Sequence, residues 1–179
     1  MKAKILAAAG AAALTVQPQI AAAQACLSQP EIAAITVYAV PPVLAGVQAK
    51  CGAELRPDGF LAQEGPGLSS RYAALAPQNW QVARSALMKI AESAPSQTAE
   101  QRQIFSTLRQ LPDQAVRPVL DALIVQKLTE AIQLSSCAQI ERGISLLAPL
   151  DPAQTGAITA FVLSLVKPDE FPICDPAQP

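Results

Sequence analysis

The side chains that most often carry out catalysis or hold a metal are missing from this sequence or scattered along it. There is no histidine among the 179 residues, which removes the usual general base, the histidine-activated nucleophiles and the commonest metal ligand. The carboxylates lack the D-x-D-x-D-G spacing of a calcium loop, and the glycines form neither common phosphate-binding loop. We therefore expect no cofactor, no metal ion and no catalytic activity.

Glu92 is the carboxylate for which we consider a catalytic role. The dipeptide Glu92-Ser93 follows an apolar helix and resembles the site of lytic transglycosylases, where a glutamate before a serine ends a helix. The resemblance implies a general acid that acts on a glycosidic bond. The glycine-rich and G-L-M-Q segments of that family are missing, because residues 94–97 lead directly into another helix. A solvated residue at a helix end is the simpler interpretation, and a carboxylate-based envelope hydrolase that uses Glu92 is kept as an alternative function.

Four cysteines, Cys26, Cys51, Cys137 and Cys174, are the other residues with distinctive chemistry. An even number in an exported protein favours two disulfides, and the lack of C-x-x-C and of histidine argues against a redox pair or a zinc site. We predict the pairs Cys26–Cys51 and Cys137–Cys174, because each would join the open end of two consecutive antiparallel helices. Each bridge would then pin a helical hairpin.

The first 25 residues have the layout of a secretory signal peptide. Lys2 and Lys4 precede an apolar run, and Ala23 and Ala25 supply the small residues of an A-x-A cleavage site. We therefore predict that residues 1–25 are removed on export, which would make the mature protein periplasmic or secreted. An alanine-rich helix of the mature protein is the alternative interpretation.

Cleavage after Ala25 would make Cys26 the first residue of the mature chain, as in bacterial lipoproteins that carry a lipid on their first cysteine. The preceding Ala23-Gln24-Ala25 lacks the leucine and the two small residues that usually stand before such a cysteine. We therefore favour a disulfide at Cys26 over a lipid anchor.

Hydrophobic periodicity along residues 26–179 is helical, and no stretch of any length alternates as a strand would. A composition of 51% hydrophobic and 4% aromatic residues suits a single domain with its own core. We predict an all-α fold, a compact bundle of about six to eight helices. In the best-patterned stretch, 117–134, apolar residues such as Leu123 fall at spacings of three and four. We expect the other helices to pack around this one.

Prolines and glycines predict where the helices break. Pro41 and Pro42 are expected to end a short first helix, so that the chain folds back on itself. Residues 52–67 hold most of the turn formers and are predicted to be an ordered surface loop, and residues 168–179 a proline-rich tail.

The last helix, 151–166, is apolar nearly all round, so we expect it to be the most buried. Its apolar run is too short for a membrane span, and none is expected in the mature chain.

Three functions are compatible with these features. The first is a small, non-catalytic binding or structural protein of the bacterial cell envelope, which rests on the leader and the cysteines. The second is a carrier of an apolar ligand in a cavity between helices, which a core rich in aliphatic side chains would allow. The third is the hydrolase that uses Glu92. The partner would be an envelope protein or an apolar ligand. Nucleic-acid binding is not expected, because the net charge is −1 and the basic residues form no cluster.

Overall fold

The structure is a computed structural model, and it describes residues 26–93, 98–168 and 172–174. The predicted signal peptide, 1–25, lies outside these residues. Within them the prediction of an all-α bundle is confirmed, because the chain forms eight α-helices, one short 3₁₀ turn at Leu134–Ser136 and no extended strand. The helices are α1 (Gln29–Cys51), α2 (Phe60–Gln63), α3 (Gly65–Ala73), α4 (Ala76–Ser93), α5 (Ala99–Gln110), α6 (Asp113–Ala131), α7 (Cys137–Leu147) and α8 (Pro152–Val166).

Helix α1 is the centre of the bundle, and it continues without a break through Pro41 and Pro42. Helices α3, α4, α6 and α8 all pack against it, so that residues on every side of α1 are buried. A proline inside a helix removes a backbone hydrogen bond and costs about 3 kcal/mol, and packing against both halves of α1 outweighs this cost. The prediction that these prolines end the first helix is therefore wrong. So is the prediction that the stretch 117–134 is the packing axis.

Helix α1 is also long and apolar enough to cross a membrane, with a mean hydropathy of 1.6 over its most apolar window. A helix that is surrounded by protein has the same composition as a membrane span. In this structure 44% of that window is buried inside the protein. The contacts of α1 with four neighbouring helices account for its apolar composition.

Both disulfides differ from the predicted pairs, because Cys26 is bonded to Cys174 and Cys51 to Cys137. The cause is the continuity of α1, which at 1.5 Å per residue is about 35 Å long and holds Cys26 and Cys51 near its opposite ends. The hairpin that would have brought these two residues together does not form. The bridges instead join residues 148 and 86 positions apart. On the chain-entropy model each stabilises the fold by about 4.5–5 kcal/mol.

Part of the predicted tail is fixed to the beginning of α1. The Leu27 N–H donates to the Pro172 carbonyl at 2.8 Å, and the Cys174 N–H donates to the Leu27 carbonyl at 3.0 Å. This short parallel bridge lies next to the first disulfide. Of the predicted tail, 168–179, residues 172–174 are thus a fixed part of the fold.

The predicted loop 52–67 is only partly a loop. Its first half forms turns, and α2 and the start of α3 occupy the second half. Leu61 of α2 is buried, and its N–H donates to the Glu141 carboxylate of α7 at 2.9 Å. The carboxylate thereby satisfies a first-turn N–H that has no partner within the helix. The sequence did not reveal α2 because a four-residue helix is too short to show a periodicity.

The expectation that the last helix is the most buried is wrong, because α8 exposes its large side chains. Phe161 is 57% exposed and Leu165 is 68% exposed. The buried face of the helix consists mainly of small residues, which include Thr155, Gly156, Ala160 and Ser164. A Cβ on Gly156 would lie 3.0 Å from the Ala33 carbonyl oxygen of α1, so the two backbones are in close contact. Only small residues allow this approach, and the large apolar residues remain on the outer side.

The disulfide pairing can be tested with two double variants that lose the same number of cysteines. In Cys51→Ser/Cys137→Ser the two remaining cysteines are bonded to each other, so we expect no free thiol in the unfolded protein. In Cys26→Ser/Cys51→Ser each remaining cysteine has lost its partner, so we expect two free thiols. Thiol titration in denaturant counts them. The reverse result would indicate the hairpin pairing.

Two leucines of α6 provide a test of which face of this helix is buried. Leu120 is 7% exposed, whereas Leu123 is 38% exposed. We expect Leu120→Ala to lower the free energy of unfolding by about 2–5 kcal/mol, because it leaves a cavity in the core. Leu123→Ala should lower it by less than about 1 kcal/mol. Denaturant titration measures both losses, and equal losses would contradict the orientation of α6.

Candidate functional site

Glu92 lies near the end of α4, where its side chain is 46% exposed and its carboxylate forms an ion pair with Arg109 of α5. A neighbouring guanidinium favours the ionised carboxylate, whereas a general acid must hold a proton. Ser93 is also exposed, and its hydroxyl donates to the Ile90 carbonyl. The dipeptide that resembles the lytic transglycosylase site therefore lies in surroundings that do not favour general-acid chemistry.

A polar cluster within the core surrounds Tyr38 of α1. Its hydroxyl donates to the Asp121 carboxylate at 2.5 Å, and the Arg117 guanidinium lies 5.7 Å from its ring centre and 5.1 Å from that of Trp80. Burial, and then the hydrogen bond to Asp121, raises the pKa of Tyr38 well above its usual range. The phenol therefore keeps its proton at neutral pH and cannot serve as a base. The cluster joins α1 to α4 and α6 through aromatic and cation–π contacts.

The four cysteines and the carboxylates offer no metal site in the part of the chain that the structure describes. No group of three or more histidine, cysteine, aspartate or glutamate residues there could hold a metal ion. All four cysteines are in disulfides, so no thiolate remains to bind a metal or to act as a nucleophile. The described residues therefore provide neither a cluster of three such metal ligands nor a free cysteine thiol.

Glu31 fixes the first turn of α1. Its carboxylate accepts from the Ser28 N–H at 2.9 Å and forms an ion pair with the Lys89 ammonium of α4 at 2.6 Å. Partial burial raises the pKa of Glu31, but the Lys89 ammonium and the Ser28 hydrogen bonds lower it more, so the pKa lies below its usual range. This group holds a helix start and a helix–helix contact, which is a structural role.

An apolar cleft lies where α1, α3, α7 and α8 meet, and its volume is about 380 Å³, which is within the range of ligand pockets. The lining is mostly aliphatic, with one aromatic ring and three threonines. The lining residues are Ile35, Thr36, Ala39, Val40, Val43, Leu44, Leu68, Tyr72, Ile144, Leu147, Ala148, Thr155 and Thr159. Leu147 is 50% exposed, so the cleft is open to solvent on its side.

The three threonines of the cleft add no hydrogen-bond donor to it. Thr36 donates to the Ile32 carbonyl at 2.8 Å, Thr155 to the Asp151 carbonyl at 3.2 Å, and Thr159 to the Thr155 carbonyl at 2.9 Å. Each hydroxyl has one hydrogen, and that hydrogen is used within the helix. The cleft therefore suits a hydrocarbon better than a ligand with several hydrogen-bond acceptors.

A more polar groove, of about 640 Å³, adjoins the apolar cleft, and the two share Leu68 and Ala148. Glu64 and Arg71 are its charged lining residues. Glu64 is the N-cap residue of α3, and Arg71 lies seven residues later in its last turn, so the two are near opposite ends of one side of this helix. An Arg71 N–H donates to the Ala148 carbonyl at 2.7 Å, just beyond the end of α7. The groove thus offers an oriented positive charge beside an apolar pocket.

One wall of the cleft has a signal in the sequence that the prediction did not use. Ile35, Ala39 and Val43 are four residues apart, which places them on one face of a helix. Because the first helix was predicted to end at Pro41 and Pro42, this face was divided between two short helices. Leu68 and Arg71 carry no comparable signal, since they reach the cleft and the groove only through tertiary packing.

Comparison with known protein families, curated proteins and solved structures found no match to this chain. The function must therefore be inferred from the molecule itself. Among the described residues, the cleft and its adjoining groove form an arrangement that can hold a ligand with an apolar and a polar part.

The lowered pKa of Glu31 leads to a pH-dependent prediction. We expect Glu31→Gln to lower the free energy of unfolding by about 1–2 kcal/mol at neutral pH, because the neutral amide cannot form an ion pair with the Lys89 ammonium. A carboxylate with a lowered folded-state pKa stabilises the protein above its unfolded-state pKa, and this contribution is lost as pH falls through the folded-state pKa. The difference between the two proteins should thus be full at pH 7 and shrink below the ordinary value of 4.5.

Denaturant titrations at neutral and acid pH measure this difference. Glu130→Gln is a matched control, because Glu130 pairs with Lys127 on the exposed side of α6 and should have no measurable effect on stability. A loss in Glu31→Gln that is independent of pH would contradict the assignment.

Proposed function

We propose that the protein is an exported, non-catalytic binding protein that takes an aliphatic chain into the apolar cleft. Export is supported by the signal-peptide layout of residues 1–25 and by two disulfides, which persist in oxidising compartments. The proposal places the mature protein in the periplasm or outside the cell. It includes no lipid anchor at Cys26, because a sulfur that is bonded to Cys174 cannot also carry a lipid thioether.

The apolar cleft is the observation that carries the binding function. Its lining is aliphatic apart from Tyr72 and the threonines, and those threonine hydroxyls donate within their own helices. Burying one methylene is worth about 0.8 kcal/mol, so a chain of several methylenes gains enough free energy to bind there. Apart from the Tyr72 hydroxyl, the lining side chains leave no hydrogen-bond donor for a ligand, so a ligand with several acceptors is disfavoured there.

The hydrolase alternative has less support. Glu92 is half exposed, and its partner Arg109 favours the charged carboxylate over the proton-bearing acid. A Glu92→Gln variant that keeps any hydrolytic activity of the protein would exclude this residue as the catalytic acid. The binding proposal does not depend on that outcome.

Filling the cleft should block binding. Ala39 lines the cleft, whereas Ala49, on the same helix, is exposed. We expect Ala39→Phe to weaken the binding of 1-dodecanol at least about tenfold, because the ring occupies the space of the chain. Ala49→Phe, which adds the same ring elsewhere on α1, should leave binding unchanged. Calorimetric titration measures the affinities, and circular dichroism checks that both variants fold.

Two results would contradict the proposed function. One is a wild-type protein that does not bind 1-dodecanol at all. The other is a folded Ala39→Phe variant that binds it as tightly as Ala49→Phe does.

A further inference from the structure

We propose that the natural ligand is an amphiphile whose anionic headgroup is held by Arg71 while its aliphatic chain lies in the apolar cleft. The headgroup would be a carboxylate or a phosphate, since both present the oxygen atoms that a guanidinium binds. This inference rests on the proposed function, because the groove can select a headgroup only if the chain occupies the cleft.

The two cavities are adjacent, and their polarity differs in the way that an amphiphile requires. The cleft has an aliphatic lining, whereas the groove is lined by Glu64, Arg71 and other polar residues. Leu68 and Ala148 line both, so the two cavities lie side by side, and the proposed ligand would extend from one into the other past these residues. A molecule with an apolar end and a polar end can fill both at once.

Arg71 is oriented toward this junction. One of its N–H groups donates to the Ala148 carbonyl at 2.7 Å, and Ala148 is one of the two residues common to both cavities. A guanidinium has five N–H donors, so most of them remain for a ligand. Among the described residues no carboxylate forms an ion pair with Arg71, in contrast to Arg56, Arg84 and Arg109. Its charge is therefore not neutralised by a protein partner in that part of the chain.

Glu64, the N-cap residue of α3, precedes Arg71 by seven residues, or about 10 Å along the helix axis, and lines the same groove. Its negative charge disfavours an anion at that end of the groove and favours one at the Arg71 end. Removal of the Arg71 charge should therefore weaken anion binding, and removal of the Glu64 charge should strengthen it. This provides a control on the same surface of the protein.

If the role of Arg71 is purely structural, its removal should affect ligand binding differently. The Ala148 carbonyl follows the last turn of α7, where a cation stabilises the end of a helix. If that were the whole role of Arg71, removing it would weaken the binding of all chains alike through a loosened cleft. The informative quantity is thus the affinity for an anionic chain relative to that for a neutral chain of the same length.

The test uses three probes with the same chain, namely 1-dodecanol, dodecanoate and dodecyl phosphate, each below the concentration at which it aggregates. Calorimetric titration of the wild-type protein at low salt should show at least one anion binding about tenfold or more tighter than the alcohol. The tighter of the two anions identifies the headgroup class. In Arg71→Gln, both anions should bind within about twofold of the alcohol, because the charge that favours them over the alcohol is removed.

The matched control is Glu64→Gln, which removes the opposite charge. It should tighten the binding of the preferred anion relative to that of 1-dodecanol. Anion binding that becomes weaker in Glu64→Gln would overturn the proposed arrangement of charges.

The remaining outcomes separate this inference from the function on which it rests. If 1-dodecanol binds and neither anion binds more tightly, the headgroup assignment fails and the proposed function stands. If Arg71→Gln weakens all three probes equally, Arg71 is structural and the assignment also fails. If none of the three probes binds to the wild-type protein, the proposed function fails, and the inference fails with it.

Discussion

The structure depends on the burial of α1 on all sides. Pro41 and Pro42 remove two backbone hydrogen bonds from this helix, and four neighbouring helices nevertheless hold it together. Because α1 continues, Cys26 and Cys51 lie near opposite ends of it, and each must find a partner in a distant part of the chain. The same continuity provides the apolar cleft with one unbroken wall. A single helix therefore determines the covalent connections of the protein and the site at which we propose that a ligand binds.

The contact between α1 and α8 determines which side chains of α8 are buried and which are exposed. At Gly156 the two backbones approach so closely that a Cβ would lie 3.0 Å from the Ala33 carbonyl oxygen. Small residues therefore occupy the inner face of α8, and Thr155 and Thr159 line the cleft beside the contact. Large side chains such as Phe161 are left in solvent, although hydrophobicity alone favours their burial. Here the close packing of two backbones outweighs the burial of large apolar side chains.

These two features explain which predictions from the sequence were right. The helical class and the presence of two disulfides follow from local periodicity and from the number of cysteines, and both are confirmed. The disulfide pairing depends on whether α1 continues through Pro41 and Pro42. The local preference of proline is to end a helix, whereas the tertiary packing keeps this helix continuous. In α8 the apolar residues surround the helix, so only the spacing of Gly156 and Ala160 indicated the inner face. Arg71 could not be identified from the sequence as a residue of the proposed site, because Ala148, which accepts its hydrogen bond, is 77 residues away.

The second disulfide joins two walls of the cleft. Cys51 is the last residue of α1 and Cys137 the first of α7, so their bond fixes the distance between these helices at one end. Helix α7 otherwise packs mainly against α2, where Glu141 accepts the Leu61 N–H. Without the bond, the spacing of α1 and α7 would depend on side-chain packing alone, such as that of Ile140 and Ile144 against the core cluster that includes Val47. A site whose walls are fixed in advance binds with a smaller entropic cost, so under the proposed function this bond would contribute to ligand affinity as well as to stability.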